Sequence, residues 1–199
     1  MLTESTKSRI SVCVLAAGKS LRFGASKPIA EWRGKPLLHY ALAAADGACA
    51  GPVVLVVGHN QDAVIKTAAG RFDRVVINRD YEDGIGTSIA AGVRAVHENV
   101  DAVVIMLADQ ALVTATHIGN IIKAWSGADN EIVASSYDAT TGPPILFPSK
   151  AFDLLCNLTG DTGARAVLAD ENFAVRLIDC PPAGFDIDTP EDLKTLDDG

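Results

Sequence analysis

Four places in the chain combine residue types that could handle phosphate and metal. The first is Leu15-Ala16-Ala17-Gly18-Lys19-Ser20-Leu21-Arg22-Phe23-Gly24-Ala25-Ser26-Lys27-Pro28, where small residues follow an apolar run and the cations Lys19, Arg22 and Lys27 come in quick succession. Small side chains let a backbone approach a ligand, its N–H groups can cradle phosphate oxygens, and the cations supply charge. An ordinary strand-to-helix turn with solvated basic residues has the same composition, so composition alone leaves the two readings balanced. The second place is Asp109, at the end of an apolar run. Mg²⁺ prefers oxygen ligands, usually one or two carboxylates with phosphates and waters, but Asp is also a favoured helix cap. The third is Asp186-Ile187-Asp188-Thr189-Pro190-Glu191-Asp192. A cap at Thr189, with Pro190 and two acids in the first turn, explains part of it and leaves Asp186 and Asp188 unexplained. The fourth is Thr87-Ser88 at the head of a helical pattern, where Ser88 reads most plainly as an N-cap.

Two better-known phosphate loops do not fit. Gly18-Lys19-Ser20 ends like a Walker A motif, but the first glycine of that pattern would have to stand at Cys13, inside the apolar run. A dinucleotide fingerprint needs GxGxxG and an acidic residue after the second strand, where the chain has Gly58-His59-Asn60. The sequence offers no Ser/His/Asp or Cys/His arrangement. His59, His97 and His117 lack ligand spacing and read as structural or solvated. Cys13, Cys49, Cys156 and Cys180 are far apart, which suits reduced thiols in a cytoplasmic protein better than a zinc site or a disulfide framework. Trp32 and Trp125 read as packing residues.

The elements that must position these residues alternate along the chain. Apolar, β-branched runs at Ile10 to Ala16, Val53 to Val57, Val75 to Ile77, Ala102 to Met106, Ile132 to Ser135 and Ala174 to Ile178 read as buried strands. Between them lie helical patterns at Leu37 to Ala45, Asn60 to Ala69, Ser88 to His97, Thr116 to Trp125, Lys150 to Leu158 and Pro190 to Leu196. In the fourth, Ile118, Ile121, Ile122 and Trp125 share one face behind a threonine cap. This order predicts an α/β fold: a largely parallel sheet covered on both faces, three layers deep, with ligands at the carboxyl ends of the strands. The 199 residues, 48% of them hydrophobic, suffice for one such domain over residues 9–199, behind a disordered tail at 1–8. A net charge of −8 argues against nucleic acid or an anionic membrane as partner, so a phosphate ligand must be held by a local basic pocket. Lys7 and Arg9 before Ile10 to Ala17 imitate a short signal peptide, but Lys19 and Arg22 follow directly and the run reads better as a first strand. No uninterrupted apolar stretch is long enough to span a bilayer.

LAAGKSLRFGASK resembles the signature loop of the MobA-like nucleotidyltransferase superfamily, particularly its molybdenum cofactor cytidylyltransferase branch. Gly84-Ile85-Gly86-Thr87-Ser88, Leu107-Ala108-Asp109-Gln110 and Asp186 to Leu193 agree with that pattern in order, and Gly142 to Phe147 and Gly160 to Arg165 are similar to its acceptor-side segments. The chain departs from it at Ala111, where proline is usual, and at Pro143, where many members carry histidine; the second departure bears on the acceptor. The resemblance implies a Rossmann-like fold of the nucleotide-diphospho-sugar transferase type. It implies transfer of CMP from CTP, with Mg²⁺, to a phosphorylated acceptor of the molybdopterin kind, pyrophosphate leaving, and a molybdoenzyme as client. Leu15 to Ser20 with Arg22 and Lys27 would hold the triphosphate, the turn Gly86-Thr87-Ser88 would face the base, and Asp109 and Asp188 would bind the metal. Lys27, Arg22 and Asp109 carry the catalytic assignments, Lys19 being the weaker cation. Ala17, where guanylyl-transferring relatives resemble LAGG, favours CTP over GTP. The alternatives are GTP as donor, a sugar or alditol phosphate as acceptor, a non-catalytic accessory protein that delivers cofactor, and an oxidoreductase on the same fold.

Overall fold

The computed structural model describes residues 9–20, 23, 26–48, 51–185, 187 and 189–195. Their strands are β1 (Ile10–Ala16), β2 (Glu31–Trp32), β3 (Lys35–Pro36), β4 (Val53–Val57), β5 (Arg74–Ile77), β6 (Ala102–Leu107), β7 (Glu131–Tyr137), β8 (Thr140–Pro148) and β9 (Ala174–Asp179). The α-helices are α1 (Leu37–Ala48), α2 (Gln61–Ala68), α3 (Ile85–Arg94), α4 (Ala115–Ala124), α5 (Phe152–Cys156) and α6 (Pro190–Thr195). Among the described residues one seven-stranded sheet runs β5-β4-β1-β6-β8-β7-β9, and β2 and β3 form a separate small ladder.

β1 is buried along its whole length because it lies at the centre, paired in parallel with β4 and β6. Its alternate residues serve two cores. Val12, Val14 and Ala16 pack with Leu38 and Leu42 of α1 and Ile118 and Ile121 of α4. Cys13 and Leu15 turn to the other face, against Ile89 and Val93 of α3 and Phe152 and Leu155 of α5. That two-period split of a continuously apolar strand makes the sheet the middle of three layers, as the alternation of elements predicts.

The short β2 and β3 are absent from the sequence reading, and of the strands in the seven-stranded sheet the one absent from it is β8. Gly142-Pro143-Pro144 punctuates it and masks its strand character, yet Ile145, Leu146 and Phe147 are fully buried and it runs antiparallel between β6 and β7. The segment expected on the acceptor side is therefore also a load of core residues in the middle of the sheet. α3 begins at Ile85, three residues before the predicted start, and Ser88 lies inside it rather than at its cap. α5 is shorter than its predicted helix and follows a 3-10 turn at Ser149–Ala151. Thr114 caps α4, its N–H donating to His117 Nδ1 at 3.0 Å, which gives that histidine a structural role. Thr189 and Asp192 cap α6 reciprocally: the Thr189 N–H donates to Asp192 Oδ2 at 2.7 Å, and the Asp192 N–H donates to Thr189 Oγ1 at 3.3 Å.

Candidate functional site

A cleft of about 370 Å³ opens at the carboxyl ends of β1 and β6. Its floor is Leu15, Ala16 and Ala17 beside Leu107 and Ala108, joined where the Ala108 N–H donates to the Leu15 carbonyl at 3.0 Å. One wall is the loop Gly18-Lys19-Ser20 with Lys27 and Pro28; the other carries Tyr81, Glu82, Gly84, Ile85 and Ser88, with Asp161 at the rim. The N–H groups of Gly18, Lys19 and Ser20 donate to no described residue, so they remain available to a ligand's oxygens. The loop is nonetheless anchored. Ser20 sits at φ +51°, its hydroxyl accepts the Lys27 N–H at 3.3 Å, and its carbonyl accepts the Phe23 N–H at 3.0 Å. Phe23 and Trp32 are buried with Ala111 and Ile187 in a small apolar cluster beneath the loop.

The charged groups meet in two pairs. Lys27 Nζ lies 2.6 Å from Asp109 Oδ2, the lysine 11% and the aspartate 29% exposed. This pair joins residues 82 positions apart, and it disposes of the cap alternative for Asp109: the next helix starts at Ala115. Across the mouth, Lys19 Nζ lies 2.7 Å from Glu82 Oε1 and 6.0 Å from the centre of the Tyr81 ring. The hydrogen bond between them holds the Glu82 carboxyl below its ordinary range and raises the Lys19 ammonium above its own. Lys19 is thus neither a freely solvated lysine nor an open one.

Of the residues singled out in the sequence, Leu15, Ala16, Ala17, Gly18, Lys19, Ser20, Lys27, Ser88 and Asp109 line one cleft. Gly86 and Thr87 do not line the cleft. Gly86 backs onto the 159–162 loop, where a Cβ would meet Thr159 N at 2.8 Å and Thr162 O at 2.9 Å. The Thr87 hydroxyl is consumed internally, facing the carbonyls of Gly84 at 2.8 Å and Asp80 at 2.9 Å and accepting from Asn78. Arg22, Asp186 and Asp188 lie outside the described residues. Among the described residues no group of three or more His, Cys, Asp or Glu side chains gathers as a metal cage.

Two amides position the site without standing among the candidate site residues, because a lone Asn or Gln has no spacing to betray its role; Gln110 enters the sequence reading only as the last residue of the Leu107 to Gln110 segment. Gln110 is buried; its Nε2 donates to the Pro143 carbonyl at 2.7 Å, and its Oε1 accepts the Leu107 N–H at 3.2 Å, so it braces the Asp109 turn against β8. Ala111 then donates its N–H to the Asp109 carbonyl at 2.9 Å, a bond that proline at this position could not make. Asn78, also buried, holds the start of α3.

A mostly parallel sheet with a backbone cradle, a cation and a carboxylate at its carboxyl edge defines a nucleotide-handling α/β enzyme. The chain belongs to the MobA-like NTP transferase domain family, matched over residues 12–176, and its enzyme class is nucleotidyltransferase. It is 30% identical to the nicotine blue oxidoreductase of Paenarthrobacter nicotinovorans over 92% of this chain and 94% of that one. It is also 30% identical to the purine catabolism protein PucB of Bacillus subtilis, over 92% and 93%. Among solved structures it resembles Rv0371c of Mycobacterium tuberculosis in complex with manganese, with a TM-score of 0.79 and 28% identity, covering 95% of this chain and 98% of that one.

Proposed function

We propose that this protein transfers CMP from CTP to a phosphorylated acceptor of the molybdopterin type, with release of pyrophosphate, in the maturation of a client molybdoenzyme in the cytoplasm. The observation that carries the reading is that the Lys27–Asp109 pair and the open N–H groups of Gly18 to Ser20 line one cleft. An acceptor phosphate oxygen attacks the α-phosphorus; the new P–O bond forms as the bond to the β-phosphate oxygen breaks, and pyrophosphate leaves with that electron pair. Positioning and charge neutralisation are all the protein needs to supply, which suits a site without a covalent nucleophile. The N–H groups of the loop, with Lys27 and Arg22, hold and neutralise the triphosphate. Ser88 faces the base.

The donor set suits Mg²⁺ shared with substrate phosphates rather than caged by protein: Asp109 supplies one carboxylate at the cleft, and Asp188 is assigned the second. Ile187, its neighbour, is buried against Ala111 and Phe23, which supports that assignment. A divalent ion held there would supply charge neutralisation to the triphosphate, and the manganese complex of Rv0371c supports such an ion.

The test is pyrophosphate release from each of the four nucleoside triphosphates with molybdopterin, with and without Mg²⁺. CTP should win, and Ala17→Gly should narrow its lead over GTP, a lead of about 1–3 kcal/mol for one methyl group. Equal or better turnover of GTP overturns the cytidylyl assignment. The name of the Paenarthrobacter relative motivates a second reading, reduction by a nicotinamide cofactor on the same fold. Tight binding of NAD(P)H with no pyrophosphate release from any nucleotide would establish it instead.

A further inference from the structure

Asn78 has an orientation that its neighbours decide. One side of its amide faces the backbone N–H of Asp80 at 3.0 Å. A backbone N–H can only donate, so the atom facing it is Oδ1, and Nδ2 must point the other way. There it lies 2.8 Å from Thr87 Oγ1 and 2.9 Å from Ser88 Oγ. Both protons of the amide are thereby directed at hydroxyl oxygens, and each hydroxyl is an acceptor towards Asn78.

The two hydroxyls then differ in what they do with their own proton. Thr87 delivers its proton to the carbonyls of Asp80 and Gly84. Ser88 has no other partner among the described residues, is 4% exposed, and lines the cleft. With no other acceptor for it among the described residues, its proton is left to a ligand in the cleft.

We infer that Asn78 is a positioning residue that fixes Ser88 as a hydrogen-bond donor towards the nucleobase, and so selects a base whose facing ring nitrogen is an acceptor. The inference rests on the cytidylyl reading only for the identity of that base. Cytosine offers N3 as an acceptor, whereas uracil at N3 and guanine at N1 carry N–H groups that would meet the Ser88 proton head on. Adenine, with an acceptor at N1, must be refused by size. One buried amide thus discriminates cytosine from uracil without touching either.

Binding of CTP and UTP, each with Mg²⁺, to the full chain by calorimetry tests this. The wild type should favour CTP by at least about tenfold, the scale of one buried donor left facing another. In Asn78→Asp the oxygen replacing Nδ2 has no proton to give, so the Ser88 hydroxyl turns inward and presents lone pairs, and the preference should fall below unity. Ser88→Ala should bring it near unity, and the double variant should match Ser88→Ala, because Asn78 acts through that hydroxyl. A merely structural role would weaken both nucleotides alike and leave their ratio unchanged, which overturns the inference. So does a wild type without CTP/UTP preference. If burying the new carboxylate prevents folding, Asn78→Ala frees the hydroxyl to rotate, and its ratio should fall towards unity; an unchanged ratio there, or in Ser88→Ala, is again fatal. Pyrophosphate release is scored separately: an Asn78-dependent preference in a protein that releases none keeps this inference and removes the cytidylyl reading.

Discussion

At the scale of single residues, the site depends on two charges that meet although one lies at position 27 and the other at 109. Lys27 is only 11% exposed, so its ammonium acts in a poorly solvated place where it is worth more than at the surface. Charge on the triphosphate moves towards the leaving pyrophosphate as the bond breaks, and Lys27→Ala should lower kcat by about a hundredfold while raising the nucleotide KM much less. Lys19→Ala, removing a cation already neutralised by Glu82, should do less to kcat. A change confined to KM would make Lys27 a residue of uniform binding. Asp109→Asn keeps the shape of the turn and removes its charge, so turnover should fall by at least about a hundredfold in a protein that still folds, with a melting temperature somewhat lowered because Lys27 loses its partner. Full activity of Asp109→Asn would remove the carboxylate from the mechanism. Composition marked these residues only as candidates: Asp109 ends an apolar run and Lys27 closes a loop of small and basic residues, and it is the resemblance of that loop and of Leu107 to Gln110 to a family signature that singled them out. Asn78 and Gln110 were not singled out as site residues, since their work is visible only once the partners of their amides are known.

Among elements, the cleft is bordered by segments that hold each other across gaps. Lys19 on the loop and Glu82 on the 3-10 turn Tyr81–Asp83 form a clasp over the mouth, and incoming phosphates must compete with that carboxylate for the lysine. Glu82→Gln should tighten nucleotide binding by about two- to fivefold, the range for an exposed pair. Glu82 has a lowered pKa, so its share of the clasp is present above the ordinary carboxylate range and lost as pH falls through the lowered value. Lys19 has a raised one, so its share persists through neutral pH and is lost only as pH rises through the raised value. The wild-type and Glu82→Gln affinities should accordingly converge on the acid side, because protonation does to Glu82 what the substitution does. A binding isotherm indifferent to Glu82 at neutral pH would show that the clasp opens without cost. The second gap is closed by backbone alone. Gly84 sits at φ +110°, and a Cβ there would collide with the Gly160 carbonyl, while the Gly86 N–H donates to that carbonyl at 3.0 Å. Gly84→Ala combines left-handed strain with overpacking against main chain and should destabilise the protein by about 1–3 kcal/mol, read as a lowered denaturation midpoint. This contact also explains why α3 starts earlier than its pattern suggests: Gly84-Ile85-Gly86 looks like a loop in sequence, yet the glycines are there for close approach.

For the whole molecule, the three-layer fold was legible because β1, β4 and β6 are apolar along nearly their entire length, and strands buried on both faces need that composition. The antiparallel strand was hidden, since Gly142-Pro143-Pro144 breaks the local pattern and only the pairing of Ile145 with Ile105, and of Leu146 with Val104, reveals it. The edges were hidden for the opposite reason: β5 and β9 carry Val75, Ile77, Val175 and Leu177, which look like core residues and are exposed.

The place of β8 has a consequence for how the chain is made. During synthesis, residues 10–107 already contain β5, β4, β1 and β6, four strands whose parallel pairings with one another need no later segment. What they lack is a partner for the far side of β6, whose Ala102 to Met106 have no polar side chain to discourage a stranger. That flank stays open until Thr140–Pro148 emerges from the ribosome and folds back along it. An open apolar strand flank is a template for pairing with other chains. Chains halted after residue 139 should therefore clump, seen as light scattering at concentrations where the full chain stays clear. The segment that matters most to the newborn protein is thus the one that its sequence advertises least.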